Sequence, residues 1–210
     1  SMHVGLIGAG MMGHGMAANL LKAGHQVTVI AHRNRAPVDD LVAKGAADAK
    51  TLADIAQAEV VLLCVTTSKV VEETIRQLKP HLRAGQVIMD AGTSAPAATK
   101  KLAHELAAMG VAYADIPLTG GPEQAEKAEL GVLCGATDET FTRIRPLLTC
   151  FATTVRHFGP PGSGHTAKLI SNYLVTGMVA LVAEAFGAAR QATIDWQDLY
   201  EVMLNGSGNS

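Results

Sequence analysis

The sequence predicts an α/β protein: a doubly wound, mostly parallel sheet, followed by an all-α region that begins with a long helix. Three observations carry that expectation. Short apolar strand-like runs alternate with helical runs as far as Gly159. A glycine-rich turn, Gly8-Ala9-Gly10-Met11-Met12-Gly13, joins the first strand to the first helix. Beyond Gly159 strand signals stop, and one long, nearly uncharged helical pattern takes over.

The elements follow in order. HVGLIG reads as a strand over His3–Gly8, and Met12, Met16, Leu20 and Leu21 give an amphipathic helix over Met11–Ala23. QVTVIA is a strand at Gln26–Ala31, followed by helices at Val38–Lys44 and Thr51–Ala56. VVLLCV (Val60–Val65) and VIMD (Val87–Asp90) are strands on either side of a helix at Val70–Leu78. A helix at Ala97–Met109, a strand at Val111–Ala114, a strand at Val132–Gly135, a helix at Thr140–Leu148 and a strand at Thr154–Phe158 complete the alternation. Such alternation implies right-handed βαβ units, with ligands outside the carboxyl ends of the strands. The turn GPPGS then opens a helix over Ser163–Gln191, and a shorter one follows at Asp195–Leu204 before the tail NGSGNS. The domain division is placed at 1–162 and 163–210, with the helical domain truncated.

Composition narrows the function. Apolar residues make up 48% of 210 residues, enough for a full core, and the net charge of −2 argues against nucleic acid as a partner. Cys64, Cys134 and Cys150 form no C-x-x-C pair and read as reduced thiols, which suits the cytoplasm. The chain enters a strand at once, so no leader peptide is expected, and Ser1 ahead of Met2 reads as a tag scar. The uncharged run Leu169–Ala183 is short for a membrane span, so no membrane partner is expected and the helix is read as buried on most sides. No metal-ligand spacing is found among the eight histidines.

The chemistry starts at the glycine turn. Gly8, Gly10 and Gly13 have G-x-G-x-x-G spacing between a strand and a helix. Gly8 permits the tight turn, Gly10 lets the backbone approach a pyrophosphate, and Gly13 lets the helix pack on the strand. The free N–H groups of the helix then face the phosphates. This is a Rossmann-type dinucleotide site, with Gly8, Ala9, Gly10, Met11 and Met12 as cofactor contacts. The second strand runs into His32, Arg33, Asn34 and Arg35 with no acid before Asp39. An acid would hold the ribose 2′-OH of NAD, whereas arginines grip a 2′-phosphate, so NADP is expected over NAD.

Four segments in order resemble the β-hydroxyacid dehydrogenase family, which includes 3-hydroxyisobutyrate dehydrogenase, tartronate semialdehyde reductase, glyoxylate/succinic semialdehyde reductase and 6-phosphogluconate dehydrogenase. They are GLIGAGMMGHGMAANLLKAGHQVTV, DAGTSAP (Asp90–Pro96, with Gly92 where the family has serine), DIPLTGG (Asp115–Gly121) and GPPGSGHTAKLISN (Gly159–Asn172). The resemblance implies hydride transfer between a nicotinamide and a small β-hydroxy acid or semialdehyde. It makes Lys168 the general acid/base and Asn172 a substrate contact, and it makes Thr119-Gly120-Gly121 the holder of the substrate carboxylate. Val65 and Thr66 would lie at the nicotinamide half and Thr93 near its ribose. The family commonly dimerises through the long helix, so a homodimer is expected.

The residues agree with these roles. Two glycines present successive backbone N–H groups and the threonine hydroxyl adds a donor, a set suited to an anion. Lys168 and Asn172 are four residues apart on one helical face. Ala167, Leu169 and Ile170 around the lysine predict poor solvation, which eases proton exchange with a hydroxyl. His14, His165 and Gln124 are further candidates near the site. Two rival readings stand beside the first: an imine reductase, against which Lys168 argues, and an inactive NADP-binding fragment.

Overall fold

The computed structural model describes residues 1–206; residues 207–210 of the NGSGNS tail lie outside the description. The chain divides into two compact units, Ser1–Lys168 and the residues from Leu169 onward. The division falls inside the long helix, past its first turns, where the sequence reading set the boundary ahead of it.

In the first unit β1 (His3–Ile7), β2 (Gln26–Ile30) and β3 (Ala47–Ala49) form one half of a sheet. The strands β4 (Val60–Leu63), β5 (Val87–Asp90), β6 (Ala112–Asp115), β7 (Leu118–Thr119), β8 (Leu130–Gly135) and β9 (Ala152–Gly159) form the other. Their order is β3-β2-β1-β4-β5-β6-β8-β7, with β9 on β8. The pairs among β1 to β6 are all parallel; β8 runs antiparallel to β6 and β7 and parallel to β9. After β3 the chain returns to pair β4 with the opposite edge of β1, so the strand order reverses at the glycine turn, where such sheets bind ligands.

The helices are α1 (Met11–Lys22), α2 (Ala36–Ala43), α3 (Leu52–Ile55), α4 (Ser68–Leu78), α5 (Pro96–Ala107), α6 (Pro122–Glu126) and α7 (Asp138–Leu148). They cover both faces, which is why β4 (VVLL) and the first three residues of β5 (VIMD) are apolar without alternation and both strands are buried at every residue. Side chains of each strand alternate between two cores: Leu6, Leu62 and Met89 pack on one face, Ile7, Leu63 and Ile88 on the other. Four elements among the described residues were not anticipated: β3, β7, α6 and a 3-10 turn at Lys79–His81. The two strands have three and two residues, too few to carry a periodic signal.

The last helices are α8 (Ser163–Gln191) and α9 (Trp196–Leu204). Beyond Lys168, α8 was expected to be buried, and it is not: Leu169, Ile170, Leu174, Val179 and Leu181 are all exposed. The reason is geometric. Apolar residues occur all around this helix, and the nine-residue α9 covers only its end, where the Phe186 and Trp196 rings meet tilted by 44° with centroids 4.8 Å apart. By length and composition α8 is also long and apolar enough to cross a membrane, which the uncharged run alone did not suggest.

Candidate active site at the carboxyl ends of the strands

The ends of the central strands align in one row, because Ile7 pairs with Leu63, Leu63 with Asp90 and Asp90 with Asp115. Each candidate segment of the first unit follows one of these ends or an element beside them.

Three glycines do different work at the first end. Gly8 has φ +99°, and a Cβ there would run into the Cys64 carbonyl. A Cβ on Gly13 would strike the Gly8 carbonyl, so only glycine lets α1 approach β1 this closely. At Gly10 a Cβ would meet nothing within 4 Å, which leaves an open approach to the start of α1. No side chain caps that helix and no acid lies in its first turn, so its N-terminus suits an anion. Ala9 is half-buried beside the core and Met11 is exposed at the mouth. A cleft of about 450 Å³ lies there, lined by Gly10, Met11, His14, Asn34, Glu123 and Glu126 among others. Met12 packs against the core instead of lining it.

The basic turn after β2 divides its labour. Arg35 is held by Asp39 (3.1 Å) and Asp48 (2.8 Å), and Asn34 accepts from the Ala36 N–H in the turn that opens α2. Arg33 and His32 are exposed, and Arg33 has no side-chain hydrogen bond among the described residues. Val65 is half-buried and Thr66 exposed past β4, and Thr93 is exposed past β5. Beside Thr93, the Ser94 hydroxyl is buried and unpartnered among the described residues, a donor awaiting an acceptor. The open Gly10 approach, the uncapped α1, the available Arg33 and this orphaned hydroxyl together fit a dinucleotide with phosphate and ribose groups.

His14 spans the cleft. Its Nδ1 reaches Glu126 and its Nε2 reaches Asp40, each at 2.5 Å, joining α1 to α6 and α2. Burial opposes a charge on His14, but the hydrogen bonds to Glu126 and Asp40 outweigh it and raise its pKa above the ordinary histidine value. A raised folded-state pKa stabilises the fold below the ordinary histidine value, and the effect is lost as pH rises through the raised value. The thermal midpoint of the wild type is therefore expected to exceed that of His14→Asn near pH 6 and to approach it as pH rises through the raised value. A gap that stays constant across that range would contradict the assignment.

Beyond β6 the chain builds a compact corner from the candidate segment Thr119-Gly120-Gly121. Thr119 pairs with Gly131 across β7 and β8, and a Cβ on Gly131 would collide with the Thr119 hydroxyl. Gly120 has φ +105°, which turns the chain into α6. Lys168, on the first turns of α8, donates from Nζ to the Leu118 carbonyl at 2.9 Å. The ammonium thus sits on the residue directly before Thr119-Gly120-Gly121. Its solvation differs from expectation: Lys168 is half-buried, but Leu169 and Ile170 face solvent, so the carbonyl contact and not an apolar shell defines its setting. Asn172 belongs to the second unit, exposed on α8.

A buried polar cluster fixes this corner, and sequence reasoning gave its carboxylates no role. Asp115, fully buried, accepts from the N–H groups of Gly162 (2.7 Å) and His165 (2.8 Å), anchoring the start of α8 on β6. The approach needs Gly135 and Gly164, since a Cβ on either would collide with the Asp115 carboxylate or the neighbouring backbone. The His165 ring lies between Asp90 and Asp115, at 4.0 and 3.8 Å. Its Nε2 donates to the Gly92 carbonyl at 2.8 Å, and its Nδ1 pairs with the Thr99 hydroxyl at 2.7 Å. Burial pushes the Asp90 carboxyl above the usual carboxylate range, opposed by donors from Tyr113 and Gly92. Burial also raises the Cys64 and Cys134 thiols to about 11 and about 12, which makes both inert core residues.

Fold and site together define a dinucleotide-binding oxidoreductase, and comparison with known proteins agrees. Residues 3–159 match the NAD binding domain of 6-phosphogluconate dehydrogenase. Residues 162–210 match the family described as NAD-binding of NADP-dependent 3-hydroxyisobutyrate dehydrogenase. The 2-(hydroxymethyl)glutarate dehydrogenase of Eubacterium barkeri is 32% identical over 100% of this chain and 71% of its own length. The 3-hydroxyisobutyrate dehydrogenase of Pseudomonas aeruginosa is 34% identical over 99% of this chain and 70% of its own. The structure of Mycobacterium tuberculosis 3-hydroxyisobutyrate dehydrogenase with L-serine superposes with a TM-score of 0.93 at 27% identity, covering 100% of this chain and 72% of that one. The chain belongs to the β-hydroxyacid dehydrogenase family, a group of NAD(P)-binding oxidoreductases that act on the hydroxyl group of hydroxyacids.

Proposed function

We propose that this protein is an NADP-dependent dehydrogenase or reductase of a small β-hydroxy acid and its semialdehyde. The observation that carries the reading is the Lys168 ammonium on the Leu118 carbonyl, beside Thr119-Gly120-Gly121. A substrate held by its carboxylate at the threonine hydroxyl and glycine N–H groups would place its hydroxyl within reach of the ammonium. Lys168 would give the proton to the oxygen during reduction and take it back during oxidation. With a dinucleotide held by its pyrophosphate at the glycine turn, the cofactor would supply or accept the hydride at the substrate carbon. Gly8, Gly10 and the start of α1 would hold the pyrophosphate, Val65, Thr66 and Thr93 the nicotinamide half, and Asn172 the substrate.

Arg33 supports NADP, since among the described residues it is the guanidinium after β2 that no carboxylate holds. Replacing Arg33 by alanine is expected to weaken NADPH binding about 10- to 100-fold, the loss of a charge-assisted contact, and to leave NADH binding unchanged. Titration of cofactor fluorescence checks this, and an equal loss for both cofactors would contradict it. The apolar exposed length of α8 supports a homodimer formed through that helix. Three free cysteines and the net charge of −2 support a reducing cytoplasm and a small-molecule partner.

A further inference from the structure

Of the donors assigned to the substrate carboxylate, one is already used. The Gly121 N–H donates to Gln124 Oε1 at 2.8 Å. The contact is built in. Gly121 caps α6 from the position before it, Pro122 opens the helix, and Gln124 falls where a side chain folds back onto that N–H. Gln124 is half-buried and packs on the turn itself: a Cβ on Gly120 would lie 3.1 Å from Gln124 Cβ. A backbone N–H makes one strong hydrogen bond, so a carboxylate oxygen and the glutamine carbonyl compete for it.

We infer that Gln124 is a specificity-determining residue, a side-chain carbonyl that a substrate carboxylate must displace from Gly121 before it is fully held. The inference rests on the carboxylate role proposed for Thr119-Gly120-Gly121. Its chemical content is selective. An aldehyde or ketone without a carboxylate has no need of the Gly121 N–H, whereas a hydroxy acid exchanges a neutral acceptor for a charged one and gains only the difference.

The test uses Gln124→Ala, which frees the N–H. Gln124→Glu is its counterpart: it keeps the fold-back acceptor at this helix start but makes it anionic. The readouts are the ¹⁵N–¹H shift of the Gly121 amide during titration with 3-hydroxypropionate, and KM for the same acid with NADP. Gln124→Ala is expected to saturate at a concentration lower by about 2- to 10-fold, with KM falling in step and kcat and NADP affinity unchanged. Gln124→Glu is expected to move both the other way, since a carboxylate accepts more strongly and repels the acid. Equal saturation of wild type and Gln124→Ala, or weaker binding by Gln124→Ala, would overturn the inference while leaving the carboxylate site intact. A Gly121 amide that ignores 3-hydroxypropionate in all three proteins would overturn the carboxylate site and the inference with it.

Discussion

Replacing Lys168 by alanine is expected to lower kcat by about 10²- to 10⁴-fold, the usual worth of a positioned acid/base group, while cofactor affinity stays the same. The argument is positional. The ammonium is held on Leu118 beside the segment proposed to hold the substrate carboxylate, and the cleft proposed for the dinucleotide is lined from α1, the turn after β2 and α6. Arginine at this position keeps the charge but holds its proton too tightly to exchange it, so Lys168→Arg should be nearly as slow. Steady-state turnover set beside NADPH fluorescence titration separates the two effects. Retained turnover in either variant would remove Lys168 from the mechanism.

The second large effect belongs to stability. Asp115→Ala is expected to destabilise the protein by about 3–5 kcal/mol, since it strips the acceptor from two buried N–H groups and one side of His165. For a chain of this size that lowers the thermal midpoint by roughly 6–20 °C. Asp115→Asn keeps one carbonyl acceptor for the Gly162 or the His165 N–H and should cost less. Calorimetry on the three proteins checks the order. Because Asp115 anchors the first turns of α8, Asp115→Asn should also lower kcat more than it weakens cofactor binding.

Much of this was legible in the sequence, for identifiable reasons. The parallel strands are buried on both faces, so they read as unbroken apolar runs whose ends at Asp90 and near Asp115 fix where the site must lie. The glycine turn was legible because each glycine answers a different steric demand, and those demands reappear as the Cys64 carbonyl, the open approach and the Gly8 carbonyl. Helix α6 was missed although Gly121, Pro122 and Gln124 stand at the starting positions of a helix; five residues are too few to show a period. The Asp115–His165 anchor left no local signal, because its partners are 50 positions apart and meet only once the sheet has formed. The setting of Lys168 was misjudged for a related reason. Sequence neighbours on a helix point away from one another, so Leu169 and Ile170 could not shield the lysine. The turn after β2 showed its arginines but not that Asp48, on another strand, holds one of them.

The central claim is hydride transfer at this corner with Lys168 as proton donor. It is tested most directly by incubating the protein with NADPH deuterated at its reactive ring carbon and a small semialdehyde, then reading the product by NMR. The account predicts one deuterium on the new carbinol carbon for the wild type, and almost no product from Lys168→Ala at equal cofactor occupancy. Product without deuterium, or labelled product formed equally fast by Lys168→Ala, would contradict it.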